Sequence, residues 1–211
     1  GLFVSGYAAK IARQVLNSDG ELTLPDWTDW GSLFKDGLRI TVVGAIYCLP
    51  GALVLTVGFG LYFVSLFGLI LQSSGGYEPS GYAAFYFVCI SILMIALVVG
   101  MLFLFLAAVF SPAAIMHTIQ KETISAGFKI TEWWSILKKN LIGFLIAFIF
   151  VFGLAQIIFY AAYFLYWTMV VCLILPLLYC FCSMYLSTVC MPLFAEAYKE
   201  GSLLNREIEH G

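Results

Sequence analysis

The side chains of this chain that could do chemistry are few: six cysteines, two histidines and a small set of carboxylates among 211 residues. Cys48, Cys89, Cys172, Cys180, Cys182 and Cys190 all fall within apolar runs. Cys180 and Cys182 are two apart, so on a helix they point to different faces, and no Cys-x-x-Cys occurs. A thiolate metal site needs converging ligands, so these cysteines read as small apolar side chains, and no metal site is expected. His117 stands just past Pro112 at the end of an apolar run, and His210 is in the tail. A haem held by two histidines needs a pair at matched depth. His117 has no such partner, so it is the one candidate cofactor ligand against a plainer reading as an interfacial polar residue, and no cofactor is expected. Asp19, Glu21, Asp26, Asp29 and Asp36 cluster in one polar passage, where they suit helix caps better than hydrolysis and would also meet a cation or basic partner. An enzyme acting on lipid would have to use His117, Glu122 or Asp36 as acid or base. No Ser-His-Asp set, phosphate-binding glycine loop or zinc motif is present, so no catalytic residue is assigned.

Gln156 is the strongest polar group within the long apolar runs, followed by Ser65, Ser91, Ser183, Ser187 and Thr188. Ion-coupled transporters use an intramembrane carboxylate, Lys or Arg to bind and release the ion. These runs hold none, so coupled transport is disfavoured and Gln156 reads as a hydrogen-bonding group between helices.

The elements that position these residues belong to a bilayer. The composition is 63% hydrophobic and 10% charged, against about 25% charged in a soluble domain. From Leu141 to Ala195, 55 residues pass without Asp, Glu, Lys, Arg or His. As helix that run would extend roughly 80 Å across a hydrocarbon core of about 30 Å, enough for two crossings. Membrane barrels need alternating apolar and polar positions, and these runs are apolar all round. The expected fold class is all-α, a polytopic helical membrane bundle, with spans at about 50–71, 83–110, 141–165 and 169–195. Pro50-Gly51 is expected to interrupt the second apolar stretch, Ser111-Pro112 to mark the exit of the 83–110 span, Gln72–Tyr82 to form a turn, and Tyr166-Trp167-Thr168 a shorter one. Residues 1–16 look like the emerging end of a truncated span.

Two amphipathic belts carry the aromatic anchors. Trp30-Gly31-Ser32-Leu33-Phe34-Lys35-Asp36-Gly37-Leu38 aligns without a gap on Trp133-Trp134-Ser135-Ile136-Leu137-Lys138-Lys139-Asn140-Leu141, with Asp29 on Glu132. The belts, 25–39 and 129–140, are expected to lie at the membrane surface with Trp27, Trp30, Trp133 and Trp134, joined by Trp167, as interfacial anchors. Ala8-Ala9 before the first belt answers Ala113-Ala114 before the second, which implies an internal repeat of same-orientation units. Ala96/Gly100, Gly143/Ala147 and Ser183/Ser187 add spacings that let helices approach closely.

All ten basic residues, Lys10, Arg13, Lys35, Arg39, Lys121, Lys129, Lys138, Lys139, Lys199 and Arg206, fall on one side of this layout, and the opposite loops hold only Glu78. By the positive-inside rule that side, with the C-terminus, is cytoplasmic.

At these residues the chain resembles the DUF4013 family of prokaryotic membrane proteins, which is uncharacterised. The likeness is carried by Gly6-Tyr7 and the basic helix to Leu16, by Leu24 to Leu38, by Tyr47-Cys48-Leu49-Pro50 and by Phe110-Ser111-Pro112-Ala113-Ala114, with Phe194-Ala195-Glu196-Ala197-Tyr198 more loosely similar. It implies a multi-pass protein of the prokaryotic cytoplasmic membrane and brings no activity or catalytic residue.

The function expected is non-enzymatic: a scaffold or accessory subunit of a larger membrane complex, or a lipid-organising protein. Its partners would be membrane lipids and other integral membrane subunits, not nucleic acid. The alternative is a passive transporter or channel for a small solute, lined by Gln156, Ser91, Ser183, Ser187 and Tyr185.

Overall fold

The computed structural model describes residues 1–17, 23–74, 80–167 and 175–210, with side chains described for 1–17, 23–72, 81–164 and 176–205. Among them every regular element is helical: α1 (Leu2–Asn17), α2 (Trp30–Ser74), α3 (Ser80–Lys121), a short 3-10 turn (Ile124–Phe128), α4 (Ile130–Lys139), α5 (Leu141–Trp167) and α6 (Leu175–His210). Four helical stretches are long and apolar enough to cross a bilayer: Trp30–Gln72, Gly81–Lys121, Leu141–Phe164 and Pro176–Asn205. The protein is an all-α, multi-pass membrane protein.

The boundaries differ from the sequence reading at the prolines. Pro50, Pro112 and Pro192 each sit inside a continuous helix. A proline removes one backbone hydrogen bond, but a long apolar helix in lipid has no better conformation to adopt, and neighbouring groups compensate. Thus the expected span 50–71 is the later part of a helix that starts at Trp30, and 83–110 is most of one that runs on to Lys121. The first belt is not a separate helix. Residues 25–29 are non-helical, and 30–39 is the first part of α2. The turn expected over Gln72–Tyr82 narrows, since α2 runs to Ser74 and α3 begins at Ser80; Glu78 lies outside the described residues. The turn at Tyr166-Trp167-Thr168 is helix as far as Trp167, and the last span, expected from 169, is described from Leu175. The Trp167 side chain, Cys172, Asp19, Glu21 and the side chains of Arg206 and His210 fall outside the described residues.

The chain divides into two compact units, Gly1–Gly44 with Ser111–Gly211, and Ala45–Phe110. The second is a hairpin of the later part of α2 and the earlier part of α3. Small residues set its closeness: a Cβ at Gly51 would stand 2.9 Å from the Gly100 carbonyl oxygen, and one at Gly100 would meet Leu55 Cγ at 2.7 Å. Its outward face is lipid-like, with Val57, Val64, Phe67, Phe87, Ile95 and Val98 all at least 60% exposed.

The first unit holds the core. α1 is buried on most sides, with Ala8, Ala9 and Ala12 essentially inaccessible, and it packs on α6, where Ala195 and Tyr198 are equally closed off. Ala113, Ala114 and Met116 of α3 and Leu33 and Val43 of α2 complete this interior. α1 also crosses α2 at backbone contact: a Cβ at Gly6 would fall onto the Leu33 carbonyl, and one at Gly37 onto the Leu2 carbonyl. The second belt meets α6 in a related way. A Cβ at Gly201 would lie 2.7 Å from the Ile136 carbonyl oxygen, and Ile136 is the residue aligned with Leu33. Where Gly37 touches Leu2, four residues before Gly6, the aligned Asn140 donates from Nδ2 to the carbonyl of Ala197, four residues before Gly201, at 3.0 Å.

Candidate functional site

The most elaborate polar arrangement among the described residues is in the first unit, around His117. Its position follows from the local sequence. After Pro112, α3 turns a face of Ala113, Ala114, Met116, His117 and Thr118 into the core. The 3-10 turn and α4 then fold back, bringing Glu132 against the imidazole, and α6 supplies Tyr198 at a fully buried position. His117 is only 3% exposed, and both ring nitrogens are engaged: Nδ1 lies 2.6 Å from the Tyr198 hydroxyl and Nε2 3.0 Å from Glu132 Oε2. The Tyr198 hydroxyl is also 3.2 Å from Gln120 Oε1. Glu132 is shared, because Lys129 Nζ holds its other oxygen at 3.0 Å. The Lys129 hydrogen bond, followed by that from His117, keeps the Glu132 carboxyl below the usual carboxylate range. The result is a polar chain, Lys129–Glu132–His117–Tyr198–Gln120, running from an exposed lysine to a buried phenol across three helices.

Two further centres support it. Asp36, 6% exposed, receives Arg13 at 3.1 Å and Arg39 at 2.9 Å, and Arg13 also reaches Glu122 at 3.3 Å. Arg13 thereby ties α1 to α2 and to the residue that ends α3. Glu122 takes φ of 54°, the left-handed conformation that commonly closes a helix. At the other end of α4, Asn140 accepts from the Gly143 amide at 3.2 Å, as an N-cap of α5, while its Nδ2 reaches the Ala197 carbonyl and Glu200 Oε2 at 2.9 Å. Asp29 does the same for α2, accepting from the Ser32 amide at 3.1 Å. Asp26 makes no such cap in the described contacts, and the helix starts at Trp30 rather than at Pro25.

The expected tryptophans part company. Trp30 is 54% exposed and meets Phe3 edge to face at 5.4 Å; Trp27 stacks on Tyr7 at 4.4 Å. Trp134 is half-buried with Lys138 Nζ 5.2 Å above its ring. Trp133, expected among the surface anchors, is instead 3% exposed and donates from Nε1 to the Gly127 carbonyl at 3.2 Å. The turn preceding α4 folds over it, which the belt alignment does not reveal. Gln156 is half-buried on α5 and, among the described residues, makes no hydrogen bond to another helix. The serine hydroxyls considered for a passage are turned back on their own helices. Ser91 donates to the Phe87 carbonyl, Ser183 to Cys180 and Ser187 to Ser183. Ser187 does border a cavity of about 250 Å³, but the other walls are Pro112, Ile115, Met116, Val151, Cys190 and similar side chains.

As chemistry, the His117 centre is closed. Both nitrogens face partners, so no lone pair is directed at a haem iron, and the candidate ligand role does not fit. The same closure denies His117 to a lipid substrate as acid or base. Among the described residues no group of three or more His, Cys, Asp or Glu side chains is arranged to hold a metal. Sequence reading singled out His117 but not Glu132, Tyr198, Gln120 or Asn140. The available signal was Asn140 itself, a polar side chain at the position where the first belt has Gly37.

The family model described as protein of unknown function (DUF4013) matches residues 1–169, and the chain belongs to that family. The match includes the first polar passage and both belts and ends before α6. Neither the curated proteins nor the solved structures contain a match to this chain.

Proposed function

We propose that this member of the DUF4013 family is a non-enzymatic protein of the prokaryotic cytoplasmic membrane, acting as a scaffold or accessory subunit of a larger membrane complex. The observation that carries this reading is the spending of intramembrane serine and threonine hydroxyls on local bonds. Thr56, Ser91, Ser183, Ser187 and Thr188 each donate to a carbonyl three or four residues back in the same helix, so none is presented to a passing solute. The cavities along the membrane-spanning helices are lined by apolar side chains almost throughout, and the α2/α3 hairpin offers broad aliphatic and aromatic faces suited to lipid or to another membrane subunit. Basic side chains confined to one set of loops favour a cytoplasmic position for the belts and the C-terminus.

The reading includes an internal repeat. Leu33 with Gly6 and Ile136 with Gly201 make comparable close contacts at aligned belt positions, and Ser32 and Ser135 both donate to the carbonyl of the acidic residue three before. Such a pair of belts would give two equivalent footholds at the membrane surface.

The test is extraction from the native membrane in detergent-free lipid discs, followed by native mass spectrometry and by solute release from reconstituted vesicles. A partner subunit at fixed stoichiometry, with no release of glycerol or urea above protein-free vesicles, is the expected result. A chain that isolates alone and releases those solutes would overturn the scaffold reading in favour of passive transport.

A further inference from the structure

The hydrogen-bond inventory around His117 admits two complete solutions that differ by one proton. Glu132 can only accept, so His117 Nε2 carries a hydrogen toward Oε2 at 3.0 Å. The Tyr198 hydroxyl has a single hydrogen and two neighbours, His117 Nδ1 at 2.6 Å and Gln120 Oε1 at 3.2 Å. In one solution Tyr198 donates to Nδ1, the ring is neutral, and Gln120 turns its amide so that the NH2 group donates to the phenol oxygen. In the other, Tyr198 donates to Gln120 Oε1, Nδ1 donates to the phenol oxygen, and the ring is an imidazolium facing a carboxylate. Both ring nitrogens and the phenol oxygen are matched in either.

We propose that His117 is a buried proton-binding site in which uptake of one proton from water reverses the Tyr198 hydroxyl, turns the Gln120 amide and tightens the hold of α4 on α3 and α6. The tightening follows from bond type. A neutral N–H facing a carboxylate becomes an imidazolium–carboxylate pair, and hydrogen bonds between charged partners are about twice as strong as neutral ones. The charged and titratable groups facing the ring come from each neighbour: Glu132 from α4, Lys129 just before it, Tyr198 from α6 and Lys121 from α3 itself. Burial of the ring opposes the extra proton, Glu132 favours it, and the two lysines oppose it. Lys129 is tied to the same Glu132 at the surface, so the buried event is coupled to an exposed charge through a single carboxylate.

The test uses the full chain in lipid discs with 15N-labelled histidine. His210 is replaced (His210→Gln) so that one imidazole remains, and its nitrogen shifts are followed against pH. The neutral form is expected to be the Nε2–H tautomer, passing in one step to the doubly protonated ring on acidification. Glu132→Gln should lower the proton affinity about tenfold or more, since an opposite charge at this distance typically moves a titration by 1–3 pH units. Tyr198→Phe should abolish the pH-linked change in the Gln120 side-chain amide signals while near-UV circular dichroism reports the fold intact. Amide exchange in α4, corrected for its intrinsic pH dependence, should slow as the ring protonates. A neutral Nδ1–H tautomer, a ring that stays singly protonated until the chain unfolds, or a titration unmoved by Glu132→Gln would each overturn the proposal.

Discussion

The crossing of α1 over α2 makes a graded prediction about glycine. At Gly6 and Gly37 the obstacle to a Cβ is a backbone carbonyl, that of Leu33 and Leu2 respectively, so relief requires moving one helix off the other. Overpacking costs about 1–3 kcal/mol and sometimes more, and a backbone obstacle belongs at the upper end. Replacing glycine by alanine within a helix returns about 1 kcal/mol, which leaves a net loss of about 2 kcal/mol or more for Gly6→Ala and Gly37→Ala. At Gly201 the Ile136 carbonyl oxygen is 2.7 Å from the added carbon and the Ile136 Cγ2 3.0 Å, again a backbone obstacle but a milder one, so Gly201→Ala should be destabilising by less than Gly6→Ala or Gly37→Ala. Gly60 has nothing within 4 Å of its ideal Cβ, and Gly60→Ala should be neutral or stabilising by up to about 1 kcal/mol. Equilibrium unfolding in mixed micelles, followed by tryptophan fluorescence, gives all four values under one set of conditions. If Gly6→Ala proves as stable as Gly60→Ala, the helices do not cross at backbone contact and the packing described for the first unit is wrong.

Three other perturbations address the polar centres. Arg13→Gln removes one of two guanidiniums from the buried Asp36 and the partner of Glu122; with Arg39 still present a loss of about 2 kcal/mol is expected, reduced when Asp36→Asn is combined with it, as a double-mutant cycle would read. Trp133→Phe keeps the buried ring area but strips the hydrogen from the Gly127 carbonyl, costing about 1–3 kcal/mol in the same unfolding assay. The Glu132 carboxyl is held below the usual carboxylate range when folded, so its contribution is present above the unfolded value of about 4.3 and is lost as pH falls through the lower folded value. An acid titration of stability should therefore steepen below about pH 4.3 in the natural chain, and a Glu132→Gln variant that shows the same steepening would refute this assignment.

Much of the fold is legible in the sequence because a bilayer tolerates so few alternatives. Fifty-five residues without a charge leave helical crossings as the way to span a bilayer, and the surface belts stand out against them by their tryptophans and lysines. The prolines misled, since the breaks they cause in water are not forced in lipid, and Pro50 leaves α2 continuous. The site was legible only as far as His117. Its partners come from 15 and 81 residues away, and no local periodicity encodes which carboxylate or phenol a folded chain will bring to a ring. Trp133 shows the same limit: the belt pattern gives it the face of Trp30, and only the turn around Gly127 decides that one indole is enclosed while the other is not.

The burial of α1 also has a consequence in time. One of its partners is α6, which follows it by most of the described chain, so α1 waits for a surface made much later. Between Asn17 and Leu175 lie roughly 160 residues, about ten to thirty seconds of synthesis at ordinary rates. During that interval α1 has the start of α2, where Gly6 and Gly37 lock the two helices together, and later the end of α3, where Arg13 reaches Glu122. The α1/α2 crossing would thus serve as an assembly clamp as well as a feature of the finished protein. Variants at Gly6 should lower the yield of inserted protein more than their equilibrium stability alone accounts for.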